Sequence, residues 1–308
     1  MLIAFGGPAS AAEIRPFLAR VTEGLAIPAQ RVEEVAHHYE AVGGKSPLNE
    51  ITARQAHALE KLLQEKAMPL PVYVGMRHTT PFFRDTLKQM ANERVRRALG
   101  FILSSHRSEA SWERYQKNIA AARLELNAGA PEIDYCPGWH DHPLFIECWA
   151  DLVQASLAAI APAQCQVTPL IFTAHSIPMA MAQRSPYVEQ LEATARLIAA
   201  KIGHERWSIA YQSRSGRPAD PWLEPDVNSV IRDFASGNVA DVVVAPIGFV
   251  CDHVEVLYDL DIEARQTAAS CRIKLHRAAC PNDHPAFVRM MADVISRRMS
   301  HPDLLEIR

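Results

Sequence analysis

The run Asp241-Val-Val-Val-Ala245 constrains the fold of this chain more than any other stretch. A β-branched run without polar alternation must be covered on both faces, so it reads as a buried parallel strand flanked by helices. The turn Pro246-Ile-Gly248 ends it, and from Asp252 the apolar spacing becomes helical, with Val256 and Leu260 on one face. Glu255, Asp259 and Glu263 stand at i, i+4 and i+8 on another face. Three stacked carboxylates repel one another unless something positive sits beside them. A solvated acidic face is the plain reading of such a row, and counterions, a basic partner or a metal cation would each relieve it. Its place just past a strand end favours a ligand role, because open α/β sheets gather ligands at the carboxyl ends of their strands.

Around this unit the chain alternates strand and helix signals twice over. Leu2–Phe5 reads as a first strand, ended by Gly6-Gly7-Pro8. Helices are expected over Ala12–Val21 and Ala29–Tyr39, with Gly43-Gly44-Lys45-Ser46-Pro47 as a break. Thr52–Lys66 is amphipathic, carrying Ala56, Leu59, Leu62 and Leu63 on one side. Strands at Val72–Met76, Ala98–Ser104 and Ile133–Cys136, with helices over Pro81–Asn92 and Ser111–Asn127 between them, complete a doubly wound unit. A helix over Pro143–Ile160 leads to a second unit, with strands at Pro169–Ala174, Trp207–Gln212, Val239–Pro246 and Cys271–Leu275. The expected fold is therefore α/β: two Rossmann-like halves, each a doubly wound four-stranded parallel sheet, with a cleft between them. Residues 1–150 make the first half and 151–284 the second, with Ala163-Gln-Cys-Gln166 the most linker-like point. A last helix, within 285–308 and roughly Pro285–Met299, packs on one of the halves, the first included. No tandem sequence repeat accompanies the duplicated pattern.

Composition narrows the function classes. A chain of 308 residues with 48% hydrophobic and 22% charged residues has the mix of a globular enzyme and room for two cores. A formal charge of −3, with no Lys/Arg block, excludes a nucleic-acid surface. No apolar stretch approaches a membrane span, and Met1-Leu-Ile-Ala-Phe5 enters a strand without a basic leader, so a cytoplasmic location is expected. The six cysteines form no CxxC pair and read as buried free thiols; an iron–sulfur cluster would need distant cysteines to converge and is not expected.

The chemistry gathers at strand ends. Thr173-Ala-His-Ser-Ile-Pro178 places His175 at the end of the second half's first strand, where Ser176 caps the turn and Pro178 stops the strand. Such a histidine is commonly structural, but Glu255 lies just past another strand end of the same sheet, and parallel strands deliver their carboxyl ends to one edge. An imidazole beside carboxylates is a base near neutral pH and a ligand for a borderline metal such as Fe²⁺. Two protein ligands with open positions suit a metal that must leave again. Tyr73-Val-Gly-Met-Arg-His78 brings Arg77 and His78 to the corresponding edge of the first sheet, where they are either surface polar groups or ligand contacts. Trp222, within Pro221-Trp-Leu-Glu-Pro225, is either core or a wall for a flat aromatic ligand.

These stretches together resemble the ferrochelatases: Gly43-Gly-Lys-Ser-Pro-Leu48, the Arg77-His78 and His175 motifs, Gln212-Ser-Arg-Ser-Gly216 with Pro221-Trp-Leu-Glu-Pro225, and Pro246-Ile-Gly-Phe with Asp252-His-Val-Glu255. They follow the family's order and cover essentially the whole chain. Val21-Thr-Glu-Gly24, His37-His-Tyr39 and the Ile-Pro after His175 resemble the coproporphyrin-type branch. The resemblance implies insertion of Fe²⁺ into coproporphyrin III, giving coprohaem in haem b biosynthesis, in a cleft between the halves. His175 would bind the metal and accept protons, with Glu255 as its partner carboxylate. Asp259 and Glu263 would form an outer metal path. Ser46 and Tyr115 would contact the porphyrin and its propionates, with Phe5, Arg77, His78 and Trp222 as further porphyrin contacts. Fe²⁺ enters as substrate, with no organic cofactor, and the enzyme is expected to be a monomer that neither spans a membrane nor binds nucleic acid.

Some positions depart from the pattern. Phe5 stands where branch members carry a Tyr, and Thr22 and His38 stand where they carry two Arg residues near the porphyrin carboxylates. Lys45, Arg77 and Arg107 are the substitutes available. Three other readings remain at this level: a protoporphyrin IX ferrochelatase, a cobalt or sirohydrochlorin chelatase, and a non-catalytic haem-binding carrier.

Overall fold

Short apolar runs become strands and the amphipathic stretches between them become their covers. The computed structural model describes residues 1–24, 27–126, 129–216, 219–237 and 239–300. One sheet contains β1 (Leu2–Ala4), β2 (Val74–Met76), β3 (Arg97–Ile102) and β4 (Glu132–Tyr135) in the order β2-β1-β3-β4. The other contains β5 (Leu170–His175), β6 (Trp207–Gln212), β7 (Asp241–Ala245) and β8 (Lys274–Arg277) in the order β6-β5-β7-β8. Every pairing is parallel. The two orders are the same, so the double alternation of the sequence is a duplicated architecture. In each sheet the order reverses between the first and third strands, the place where a crevice opens outside the strand ends.

The expected strand at 241–245 is the interior strand β7, paired to β5 on one side and β8 on the other, with Val242, Val243, Val244 and Ala245 fully buried. All eight expected strands form, with ends displaced by up to three residues. Covering helices include Leu48–Glu65, Pro143–Leu157, Tyr187–Ile202 and Pro285–Ser300. Pro143–Leu157 packs on Tyr187–Ile202 and touches β7 and β8, while Pro285–Ser300 packs on both Leu48–Glu65 and Pro143–Leu157. Position 150 thus falls inside a continuous helix. The linker-like residues 163–166 are mostly a helical turn, Pro162–Cys165, whose Cys165 thiol lies 3.4 Å from the Leu157 carbonyl. Residues 301–308 and Asn127, which the expected helices reach, lie outside the described residues.

An aromatic chain joins the layers. Phe101 of β3 stacks on Trp139 with centroids 5.7 Å apart, and Trp139 meets Phe145 at 4.9 Å and Phe287 of the last helix at 5.8 Å. One buried cluster runs from Leu2 and Phe101 through Trp139 and Phe287 to Leu170 and Val243, so the two sheets share a core.

The helix expected from Asp252 is not one regular α-helix. Val254–Leu257 is α-helical, Asp259–Ala264 is a π turn, and Arg265–Ser270 resumes the α-helix. A second π turn, Glu109–Glu113, leads into the helix Arg114–Glu125. π turns accommodate an extra residue and occur frequently at functional sites. The first lies on the same helical segment as the cavity residue Glu255, and the second carries the cavity residues Ala110 and Ser111.

Candidate active site

A cleft of about 440 Å³ opens at the carboxyl ends of both sheets. Seven expected residues line it: Phe5, Ser46, Arg77 and His78, then Tyr115, His175 and Glu255. Asp259, Glu263 and Trp222 do not.

Register explains how His175 arrives. Phe172 pairs with Ala245, the last residue of β7, so β5 runs three residues beyond that point and carries His175 over the turn at Pro246-Ile-Gly248. Gly248 donates its N–H to the Thr173 carbonyl at 3.0 Å. A Cβ there would stand 2.7 Å from the Ala174 Cα, a backbone contact that cannot give way, so the turn needs glycine. The Tyr187 hydroxyl donates to the His175 carbonyl at 2.9 Å.

Glu255 is fixed from several sides. Gln212, its amide oriented by Thr173 at 2.8 Å, donates to the Glu255 carbonyl. Just upstream, Asp252 accepts from Arg277 at 3.0 Å and from Asn282 at 2.8 Å, and Arg277 also reaches Asp261 at 2.8 Å. This clamp holds the start of the segment that bears His253 and Glu255.

His175 Nε2 lies 3.6 Å from Glu255 Oε1, and His253 Nε2 lies 3.3 Å from Glu255 Oε2. Each ring is oriented by its Nδ1, toward the Ser176 carbonyl for His175 and the Cys251 carbonyl at 3.1 Å for His253. Such outer contacts fix which nitrogen faces the reacting space. Two ligand atoms each roughly 2.0–2.2 Å from one ion stand roughly 3–4 Å apart, so the His175–Glu255 gap suits a shared divalent cation. Among the described residues no three His, Cys, Asp or Glu side chains form a metal cage, so the pair supplies only part of a coordination sphere.

Each member of the pair favours the charged form of the other. Burial works against charge on His175, but the Glu255 carboxylate, by charge and by contact, lifts its pKa above the ordinary 6.5. Burial alone would raise the Glu255 carboxyl; His175, with His253 behind it, holds it well below the usual carboxylate range. Glu255 keeps 38% of its side-chain surface open, toward the cleft that it lines.

The acidic row is graded in depth. Asp259 is buried, accepts from the Ser213 hydroxyl, and has its pKa raised to about 7 by burial and by Glu255 and Glu263, against the pull of Ser213. Glu263 is exposed, and burial of its carboxyl and Asp226 raise its pKa against the effect of Arg31. The row therefore runs from the cleft wall through protein to the surface. Trp222 does not line the cleft: it pairs with Pro178 and covers Gly216 so closely that a Cβ there would meet its ring nitrogen at 2.1 Å.

Ser46 is buried in the cleft wall, its N–H bonded to the Pro8 carbonyl at 2.8 Å. Asn49 ties that loop to β1 through both polar groups of the Gly7 backbone, at 2.8 and 2.9 Å. Tyr115 is buried beside Phe83, and burial raises its hydroxyl's pKa. Thr22 and His38 do not line the cleft; the Thr22 hydroxyl donates to the Leu18 carbonyl at 2.8 Å and His38 stacks on Tyr258 at 3.7 Å. Of the substitute cations, Lys45 is paired with Glu50 at 2.8 Å and Arg107 with Glu113 at 2.8 Å, whereas Arg77 lines the cleft. His253, Tyr187 and Arg114 are lining residues that sequence reasoning did not single out. His253 stood inside the quoted Asp252-His-Val-Glu255 motif; the other two gave no sequence signal.

Two like parallel sheets with an imidazole–carboxylate pair at their shared cleft make a chelatase architecture. Solved structures with this fold include the sirohydrochlorin chelatase SirB of Bacillus subtilis subspecies spizizenii in complex with cobalt, at TM-score 0.56 and 11% identity over 82% of this chain and 91% of that one. CbiX, the terminal enzyme for siroheme biosynthesis in denitrifying bacteria, gives 0.55 at 15% identity over 96% and 97%. That likeness is one of fold. In sequence, the ferrochelatase family model matches residues 1–299. A ferrochelatase of Rhodopirellula baltica is 40% identical over 97% of this chain and 85% of its own. The coproporphyrin III ferrochelatase of Mycolicibacterium smegmatis is 40% identical over 98% and 92%, and that of Mycolicibacterium paratuberculosis 42% over 96% and 86%. The chain belongs to the ferrochelatase family and is a metal-chelating enzyme. None of its described helices is long and apolar enough to cross a membrane.

Proposed function

We propose that this enzyme inserts Fe²⁺ into coproporphyrin III, the substrate for which its mycobacterial relatives are named. The observation that carries the reading is the His175–Glu255 pair, 3.6 Å apart on the wall of a cleft that also presents Ser46 and Tyr115. Insertion exchanges two pyrrole N–H protons for one divalent cation, so the face where metal enters needs a base and a weak metal site together. His175 Nε2 serves both: it accepts a pyrrole proton and, with Glu255, holds the incoming ion loosely enough to give it up. Asp259 and Glu263 lead the ion from the surface toward Glu255. Ser46 and Tyr115 contact the porphyrin and its propionates, with Phe5, Arg77 and His78 completing the wall. Trp222 acts from outside the cleft, by holding the Pro178 and Gly216 loops in place.

Anaerobic Fe²⁺ insertion, measured in parallel with coproporphyrin III and protoporphyrin IX at one detergent concentration, tests the reading. The expected result is a higher kcat/KM for coproporphyrin III, and a loss of at least ~10²-fold in kcat for a folded His175→Ala variant. A clear advantage for protoporphyrin IX would reassign the substrate. Iron insertion by His175→Ala within a few-fold of wild type would remove His175 from its role.

A further inference from the structure

A second cavity, of about 620 Å³, adjoins the cleft. Val21, Arg77, His78 and Arg114 line both, so the two spaces share a wall. One side of the second cavity is a face of the helix Arg114–Glu125, presenting Arg114, Lys117, Asn118 and Ala121 at i, i+3, i+4 and i+7. The other side brings Arg20 and Arg84. Five cationic side chains, with Arg77 the fifth, meet two carboxylates, Glu23 and Glu125, and Glu125 is already paired with Arg84 at 3.4 Å.

The shared wall calls for an anion. Arg77 and Arg114 are half-buried, and neither guanidinium has a hydrogen-bond or ion-pair partner among the described residues. Like charges brought together in a partly desolvated space raise the free energy until an opposite charge joins them. His78 lines the same wall and is 6% exposed, and its Nε2 is buried without a hydrogen-bond partner among the described residues. Its ring is held by Phe5 at 4.6 Å and its carbonyl accepts from Arg20 at 2.9 Å, so the orphaned nitrogen is fixed in place. Burial, and then the charges of Arg77, Arg20 and Arg114, push the imidazole pKa down to about 3, so the ring is neutral at ordinary pH and lines the wall without adding charge.

We infer that this wall is a carboxylate subsite, where Arg77 and Arg114 grip the propionates on one edge of the porphyrin and the neutral His78 adds no competing charge. The inference rests on the porphyrin reading of the cleft and goes beyond it by assigning the groups that recognise the substrate's charge. Guanidinium forks match carboxylates in geometry, and charge-assisted bonds are the strong ones. The assignment also supplies the anchoring that Thr22 and His38 do not, since neither reaches the cleft, and that Lys45 and Arg107 do not, since both are paired on the surface. A ring bearing an uncharged substituent at this edge would leave both guanidiniums unpaired, so the subsite selects for the more carboxylated porphyrin.

The test uses the full chain and metal-free coproporphyrin III, titrated by fluorescence beside its tetramethyl ester. Arg77→Gln/Arg114→Gln is expected to raise the Kd for coproporphyrin III by about 100-fold, at roughly tenfold for each charge-assisted hydrogen bond removed. Binding of the ester is expected to change less than threefold. Arg114→Lys keeps the charge but not the fork, so an intermediate Kd supports the geometry and serves if the double variant fails to fold. Arg107→Gln, outside both cavities, should leave the Kd unchanged. A double variant that binds coproporphyrin III within threefold of wild type overturns the subsite, as does equal weakening of acid and ester. A wild-type chain that binds neither porphyrin overturns the reading of the cleft itself.

Discussion

His175 and Glu255 set each other's proton affinity, and that coupling is measurable. Because the His175 pKa is raised by Glu255, the imidazole is protonated below it and becomes a base and ligand as pH climbs through a value above 6.5. The wild-type rate of iron insertion should therefore rise along a limb centred above 6.5. Glu255→Gln removes the largest charge that raises the pKa and leaves burial, which lowers it, so the limb should move to lower pH while the plateau falls on the order of tenfold or more. A pH–rate profile with the limb unmoved would uncouple the two residues. Both were legible in the sequence because His175 ends β5 and Glu255 follows the end of β7, and parallel strands deliver their carboxyl ends to one edge whatever lies between them. His253 was visible only as a motif letter, since the meaning of its ring comes from Nε2 facing Glu255. Arg114 was invisible for a different reason. Its partners Arg20 and Arg77 come from other elements, and no periodicity within one helix reports a cavity built by several.

At the scale of elements, buried parallel strands announce themselves as apolar runs, as β5 and β7 do, whereas the edge strands β4 and β8 carry charged residues; strand ends are set by pairing, which a single stretch does not carry. The π turn at Asp259–Ala264 escaped because one extra residue in one turn leaves the apolar recurrence of Val256, Leu260 and Ala264 looking α-helical. It also changes how the acidic row is read: its middle member is buried rather than solvated. The pKa of Asp259 is raised from 3.8 to about 7, so ionisation is disfavoured in the folded chain. The cost is absent below about pH 4, grows as pH rises toward 7, and is complete above it. Asp259→Asn should accordingly raise the melting temperature at pH 8 but not at pH 4, with an upper limit of about 4 kcal/mol from a shift of about three units. The same variant should need more Fe²⁺ for half-maximal rate. Thermal denaturation at the two pH values, beside an iron titration, checks both halves; equal stabilisation at both pH values would mean that the carboxyl is not strained by ionisation.

Across the whole molecule, the two sheets are laced together. The helix Pro143–Leu157 follows the first sheet in sequence but packs on elements of the second, and Pro285–Ser300 returns from the end of the chain to lie on Leu48–Glu65 of the first. Phe287 joins that returning helix to Trp139 and, through it, to Phe101. Phe287→Ala should cost ~3–5 kcal/mol, and denaturant unfolding should remain one transition because the core is continuous. Two separated transitions would show halves that stand alone. The alternation of strands and helices foretold two sheets, but which helix crosses to which was not legible, since apolar faces do not name their partners. The lacing also imposes a timetable on the ribosome. The last strand of the first sheet ends at Tyr135, yet the helix that covers Leu48–Glu65 begins only at Pro285. At ~5–20 residues per second, the nascent first sheet waits roughly 8–30 s with that apolar flank open. A chaperone that shields exposed helix faces during synthesis would therefore raise the yield of active enzyme more than one that acts after release.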